Sequence, residues 1–280
     1  SAFVEGSTFA DGDEMGVLGY QLPDGVWANN VTPELMYNSR LIKVASGSYR
    51  YDPMVSWPLI GKVKFFAYYP HSSFATAGAV TPSPVFNQDY PHVTVVLGKS
   101  DDPIDFLTAE SDPKGYAETT NGVVNFTFKH RLAKIQYQAK VIELDNTHNL
   151  YINRLRVRNI YNKAVFQFDD AGGQWTNRGN ESIPDAISGA TLKLQPTASA
   201  VDKNDFKDLI MSNGTSAYVL MLPQTYDNSE LEITYTLEYL KPEGGCEYHI
   251  MGTKTIPFSI DWKQGKVYTY QLEFAFKEVS

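Results

Sequence analysis

The chain has 280 residues with 24 Lys and Arg against 32 Asp and Glu, a formal charge of -8, so it lacks the basic footprint that a run of phosphates demands and nucleic acid is not its partner. A hydrophobic share of 42% suffices for real cores, and 18 Tyr with 15 Phe lean the composition toward β-structure. No window of about 18 apolar residues is present, which excludes a transmembrane helix in this chain, and Ser1-Ala-Phe-Val-Glu-Gly6 lacks the pattern of a secretory leader.

Residues 1–14 are polar and rich in Gly and Asp; they lead through the turn Asp11-Gly-Asp13 into a short strand, Glu14 to Tyr20. Short strands are expected around Val26-Trp27, Leu41 to Val44 and Tyr49 to Tyr51. Trp57 to Pro70 follows with a clear period of two: Val63, Phe65, Ala67 and Tyr69 share one face, Lys64, Phe66 and Tyr68 the other. Both faces are bulky and apolar, so this strand is expected to lie between two packed layers. His71 to Gln88, with Thr81-Pro-Ser-Pro84, reads as a surface loop, and Tyr90 to Gly98 as another strand. Asp101 to Glu110 gathers carboxylates, yet the alternate acidic positions, sixth Gly and twelfth Glu of a calcium loop are missing, so a solvated connector is expected.

Val123 to Leu144 is too long for one ordinary strand. Val124, Phe126 and Phe128 share the even face whereas Ile135, Tyr137, Ala139 and Val141 share the odd one, so the buried side switches near His130 to Lys134. A one-residue slip reverses every side chain, which requires a bulge or a crossing between sheets. The domain boundary is placed there, giving domains at 1–130 and 131–280.

In Leu150 to Ile160, Leu155 and Val157 face one way and Arg154, Arg156 and Arg158 the other. The arginine row reads either as an anion site or as a solvated face whose charge discourages edge pairing, the second being preferred. Ala164 to Phe168 is a strand closed by the turn Asp169 to Gly173; Ile183 to Leu194 is ambiguous, and Asp202 to Ser212 suits a short helix. Strands at Ala217 to Leu222, Leu231 to Leu240, Glu247 to Phe258 and Lys266 to Phe276 complete the chain. Strands at this spacing predict an all-β fold of two antiparallel sandwiches.

Chemistry is sparse. Cys246, the single cysteine, sits beside Gly244-Gly245 and permits no disulfide and no thiolate metal cluster. His71, His92, His130, His148 and His249 are scattered without metal-ligand spacing, and no nucleophile elbow, phosphate loop or dinucleotide fingerprint occurs. No catalytic, cofactor-binding or metal-binding residue is therefore assigned, and the protein is read as not an enzyme.

Phe9 to Tyr20, Trp57 to Pro70, Ile104 to Ala109, Phe126 to Ile135, Leu220-Met-Leu-Pro-Gln224 and Trp262 to Tyr270, six motifs in this order, resemble the fimbrillin family, the pilin-type surface proteins of Bacteroidales. The resemblance implies two tandem transthyretin-like Greek-key β-sandwich domains, export as a lipoprotein precursor to the outer membrane, and assembly into a pilus (fimbrium). It also implies other pilin subunits as partners, joined by strand addition into a groove opened by proteolysis, with membrane contact only through the precursor's lipid anchor. The chain begins close to the family's Gly-Asp-rich motif without a lipidated cysteine or first strand, as a processed or trimmed form would. It ends just after the Tyr-rich strand, where stalk-type members carry a further donor segment, so a tip or accessory role fits.

The reading is a non-enzymatic cell-surface fimbrial subunit or tip adhesin, with a host or bacterial surface glycan or protein as a further partner. The alternative is a glycan-binding, lectin-like surface protein using its many aromatic faces. A glycoside hydrolase, the third reading, requires an acidic cleft with two carboxyls at catalytic separation.

Overall fold

The computed structural model describes residues 9–28, 31–45, 48–72, 80–85, 90–97, 104–143, 147–176, 187–188, 206–209 and 218–275. The described chain is built from strands apart from one short 3-10 turn at Tyr116–Glu118. It forms two compact units.

The first unit contains β1 (Glu14–Leu22), β2 (Met36–Lys43), β3 (Tyr49–Arg50), β4 (Lys62–Tyr69), β5 (Val80–Val85), β6 (His92–Leu97), β7 (Leu107–Glu110) and β8 (Lys129–His130). After Leu132 the chain passes into the second unit for β9 (Ala133–Glu143) and β10 (His148–Arg158), then returns to the first for β11 (Lys163–Gln167) and β12 (Gln174–Thr176). The second unit is completed by β13 (Ile187–Ser188), β14 (Lys207–Asp208), β15 (Tyr218–Met221), β16 (Gln224–Leu240), β17 (Cys246–Trp262) and β18 (Val267–Ala275). The switch of buried face near His130 thus coincides with the passage between units. Residues 163–176 belong to the first unit again, since the period of a strand reports its face and not the sheet it joins.

In the first unit one sheet has the order β3-β2-β1-β4-β7-β8 and the other β12-β11-β6-β5. The even face of β1 and β4 packs on the second sheet. Phe66 is its centre, with the rings of Tyr20, Trp27, Tyr90 and Phe168 at centroid distances of 5.6, 5.5, 6.0 and 5.0 Å, all steeply inclined to it, the geometry that aromatic quadrupoles favour. Tyr68 leans so far over β1 that a Cβ on Gly16 would come within 2.3 Å of its ring; glycine there lets ring and strand approach. Lys64 shares this face and is nearly buried, its ammonium donating to the Ser111 carbonyl at 3.0 Å beside Glu110.

Arg131 fixes the returning hairpin. Its Nε donates to Thr108 Oγ1 and its Nη2 to the Gly172 carbonyl, both at 2.7 Å, and its guanidinium lies over the Phe166 ring. Trp175 Nε1 donates to the Arg131 carbonyl at 2.7 Å. A buried cation is tolerated only with such full satisfaction.

The second unit pairs β13-β10-β16-β17 in one sheet and β9 with β14, β15 and β18 in the other. Ile135, Tyr137, Ile152, Leu155, Leu231 and Ile233 are among its core. Tyr268, Tyr270, Leu272 and Phe274 form one stripe along β18 and pack half-buried on this core.

Four expectations are corrected. β18 runs parallel to β9, so the sheets are not wholly antiparallel; alternation fixes a face but not a direction. Thr81-Pro-Ser-Pro84 is part of β5, not a loop, and β5 is an edge strand, the place where a missing N–H is harmless. Lys207–Asp208, expected in a helix, pairs with β9 instead, while the rest of Asp202 to Ser212, apart from 206 and 209, lies outside the described residues. Val26-Trp27 is not in a strand; Trp27 serves by stacking on Tyr90 at 4.6 Å.

β4 is buried on both faces along nearly its whole length. Replacing Phe65, 7% exposed, with Asp is expected to cost about 3–5 kcal/mol, the scale of losing a large buried aromatic. Urea denaturation reads this directly, and an unchanged midpoint would contradict two-sided burial.

Candidate functional site

Among the described residues, the odd faces of β1 and β4 meet no second sheet. Met15, Val17 and Phe65, with Met36 of β2 and Leu107 of β7, form the floor of a groove of about 740 Å³. Leu41, Tyr49 and Tyr51 line it from β2 and the region of β3, Val55 to Trp57 from the loop before β4, and Val124, Phe126 and Phe128 from the stretch before β8. Phe9 packs against Tyr69 and Phe128 at centroid distances of 5.1 and 4.9 Å, and Phe65 faces Phe126 edge-on at 6.4 Å.

Residues 123–128 decide the character of the groove. Their burial alternates, with Val124, Phe126 and Phe128 half-buried and Val123, Asn125 and Thr127 exposed, which is the pattern of a strand. Among the described residues, however, 124–128 join no backbone ladder. The segment starts at Gly122, whose φ of +74° and 2.8 Å approach of its Cβ site to Trp57 Nε1 exclude a larger residue; Trp57 Nε1 donates to the Gly122 carbonyl at 3.3 Å.

One charged device borders the groove. Asp105 is fully buried, accepts a hydrogen bond from the Phe106 amide at 2.8 Å and pairs with Nδ1 of His130, which lines the groove. The expectation of a solvated connector is overturned at Asp105 and at β7, where Leu107 to Ala109 are buried; residues 101–103 lie outside the described part. Apolar neighbours and His130 draw that carboxylate inward. The hydrogen bond that His130 donates to the Asp105 carboxylate raises the pKa of His130, more than burial opposes it.

The other candidate residues do not converge. His71 is held by the Asn38 carbonyl at 3.2 Å, and burial lowers its pKa. His148 stacks edge-on against Tyr239, while His92 and His249 lie in β6 and β17. No group of three potential metal ligands exists among the described residues, and Cys246 is exposed at a hairpin turn. Neither Asp nor Glu is among the described residues lining the groove, so the acidic cleft of a glycosidase is not what this cavity offers. The tryptophans are taken up in ring packing and hydrogen bonds, as with Trp262 Nε1 donating to Tyr270 at 2.9 Å. A groove was expected only through the family resemblance and its lining was not read from the residues; the signals were the second apolar face of β4 and the alternation of Val124, Phe126 and Phe128.

The described chain is thus all-β and carries an open apolar groove in its first unit. The chain belongs to the Fimbrillin-like family, whose profile matches residues 3–279. Membership makes it a non-enzymatic protein, in a family that implies the cell surface and pilus assembly with other subunits. Comparison with curated sequences finds no match. Among solved structures it is similar to a candidate cell adhesion protein from Bacteroides ovatus, at 17% identity and a TM-score of 0.54 over 96% of this chain and 84% of that one. Similar matches come from Bacteroides uniformis, at 15% and 0.50 over 95% and 88%, and Bacteroides eggerthii, at 14% and 0.50 over 96% and 80%. At these identities the likeness establishes the fold alone.

Because the folded-state pKa of His130 is raised, its contribution to stability is complete below about pH 6.5, the unfolded value, and is lost as pH rises through the folded value. The stability gap between wild type and His130→Gln, measured by denaturation at several pH values, should therefore narrow from acid to alkaline pH. A gap that is constant or widens would remove the charge pairing from the account.

Proposed function

We propose that the protein is a fimbrial subunit, of tip or accessory type, that accepts a strand from another subunit into the groove of its first unit. The ladder-free segment 124–128 carries this reading. With the alternating burial of a strand and its half-buried side chains on an apolar floor, it offers to an incoming strand backbone N–H and C=O groups that no ladder among the described residues uses. Main-chain bonds would supply affinity, and alternate side chains entering the groove would set register. An apolar groove left open beside an unpaired extended segment is a hazard for aggregation, which occupancy by a neighbouring subunit removes. Repetition of such a contact between unlike surfaces generates an open fibre.

The proposal includes two transthyretin-like Greek-key sandwiches divided near residue 130, and export as a lipoprotein precursor to the outer membrane. Support for these finer points is the order of the six sequence motifs.

The test is assembly. Mixed with neighbouring pilin subunits and the processing protease, the mature protein should enter a heat-resistant polymer seen on denaturing gels. Phe126→Asp, with a charge placed in the groove, should reduce incorporation about tenfold or more while its melting transition remains cooperative. Full incorporation of a folded Phe126→Asp variant would place the acceptor site elsewhere, and failure of wild type to polymerise would remove the assembly reading.

A further inference from the structure

One end of the first unit carries bare apolar surface that its fold does not require. β1 ends there at Leu22, opposite Lys62 at the start of β4, and four segments meet around this pair. The turn after β1 brings Val26, since the Cβ site of Gly25 lies 3.4 Å from the Lys62 side chain. The bend before β4 brings Leu59 and Ile60, with Gly61 at φ +82° against the Leu22 carbonyl and Pro23. The 3-10 turn brings Tyr116, because its Glu118 pairs with Lys62 at 3.1 Å. Gly122, packed on Trp57, brings Val123. Leu59 is 102% exposed, Ile60 77%, Val26 71%, Val123 57% and Tyr116 54%. Single apolar residues scattered on a surface need no explanation, but such a convergence at one pole marks a contact surface.

The pole is layered. Leu59 and Ile60, adjacent on the bend, are its most exposed side chains. Next come two aromatic rings, Tyr116 and the half-buried Trp57, with centroids 6.2 Å apart and planes inclined at 66°. Trp57 Nε1 is held by the Gly122 carbonyl at 3.3 Å. The cations sit at the level of the sheet, where Lys62 opens β4 and Lys114 bridges to Val63. Two carboxylates, Asp24 in the turn after β1 and Glu118 beside Lys62, balance them. An aliphatic tip, an aromatic collar and a charged base match the layers of a bilayer entered from water: acyl chains, the interface where Trp and Tyr concentrate, and headgroups within reach of lysine stems.

We propose that this pole docks on a zwitterionic lipid bilayer, with Leu59 and Ile60 entering the boundary between headgroups and acyl chains, the depth of about 5–10 Å that interfacial elements reach. Balanced charge suits phosphatidylcholine headgroups, which carry both signs. An anionic leaflet fits less well, because its recognition takes clusters of about four to eight basic residues. A protein partner also fits less well. Leu59 and Ile60 stand clear on a bend, so a rigid partner needs a pocket shaped for both, whereas fluid acyl chains close around any shape. The contact is separate from strand acceptance, since Val26, Leu59, Ile60, Tyr116 and Val123 do not line the groove.

Flotation of the full chain with phosphatidylcholine vesicles tests the proposal. Wild type should float with the vesicles and stay bound as salt rises, because balanced charges leave little for salt to screen. The double variant L59N/I60N should bind about tenfold less or weaker still. Its two positions are so exposed that its melting curve should match that of wild type. A polarity-sensitive fluorophore on Leu59→Cys, in a Cys246→Ser background, should shift to the blue when vesicles are added. Phe126→Asp, altered in the groove, should float like wild type, so failure of strand acceptance and failure of lipid docking are read apart. Absence of wild-type binding, unchanged binding by L59N/I60N, or loss of binding in Phe126→Asp alone would overturn the site. Binding that requires phosphatidylserine, or self-association that L59N/I60N abolishes in a protein that ignores vesicles, would overturn the zwitterionic bilayer as the partner.

Discussion

The first unit depends on one constraint: β4 must be buried on both faces although, among the described residues, only one face has a sheet to pack against. Phe66 meets that sheet through its cluster of inclined rings, and removing that face from water supplies the main stabilisation of the layer. Phe65, on the other face, is covered by loops and by the segment that bears Phe126. A face covered by loops is closed incompletely, and the remaining space is the groove. The site is therefore a direct result of how one strand's second face is covered, and needs no dedicated loop to form it.

Two charged groups buried around this strand, Arg131 and Asp105, are satisfied by the protein. Arg131 has two hydrogen bonds and an aromatic face, and Asp105 has the Phe106 amide and His130. Burying such charges costs desolvation, so they contribute specificity of arrangement more than net stability. Arg131 selects the position of a hairpin distant in sequence; Asp105 holds His130 at the border of the groove. In the second unit Arg154, Arg156 and Arg158 all lie within 4 Å of Glu232.

Much of this was legible in the sequence. The two apolar faces of Trp57 to Pro70, the change of phase after Phe128 and the stripe from Tyr268 to Phe274 each rest on a period of two, a local property that a chain cannot hide. The parallel pairing of β18 with β9 and the return of 163–176 were not legible, since direction and sheet membership are set by contacts between distant residues. Asp105 was misread for a related reason: a carboxylate in an acidic run looks solvated until His130, 25 residues on, is placed beside it. The groove was concealed because its lining residues look like ordinary core, and only the missing ladder along 124–128 distinguishes them.

The returning hairpin also orders events in time. The second sheet of the first unit needs β11 and β12, which follow β9 and β10 of the other unit in the chain. During synthesis the first unit therefore cannot complete its core until Thr176 is available, long after Leu132 has emerged. Until then the ring cluster around Phe66 lacks Phe168 and the guanidinium of Arg131 lacks its aromatic partner, so apolar surface and a buried-type charge stay exposed together. Domains that finish independently protect the growing chain piece by piece. A fold interleaved in this way delays that protection, and a nascent chain of this protein has more need of a holding chaperone than its size alone implies.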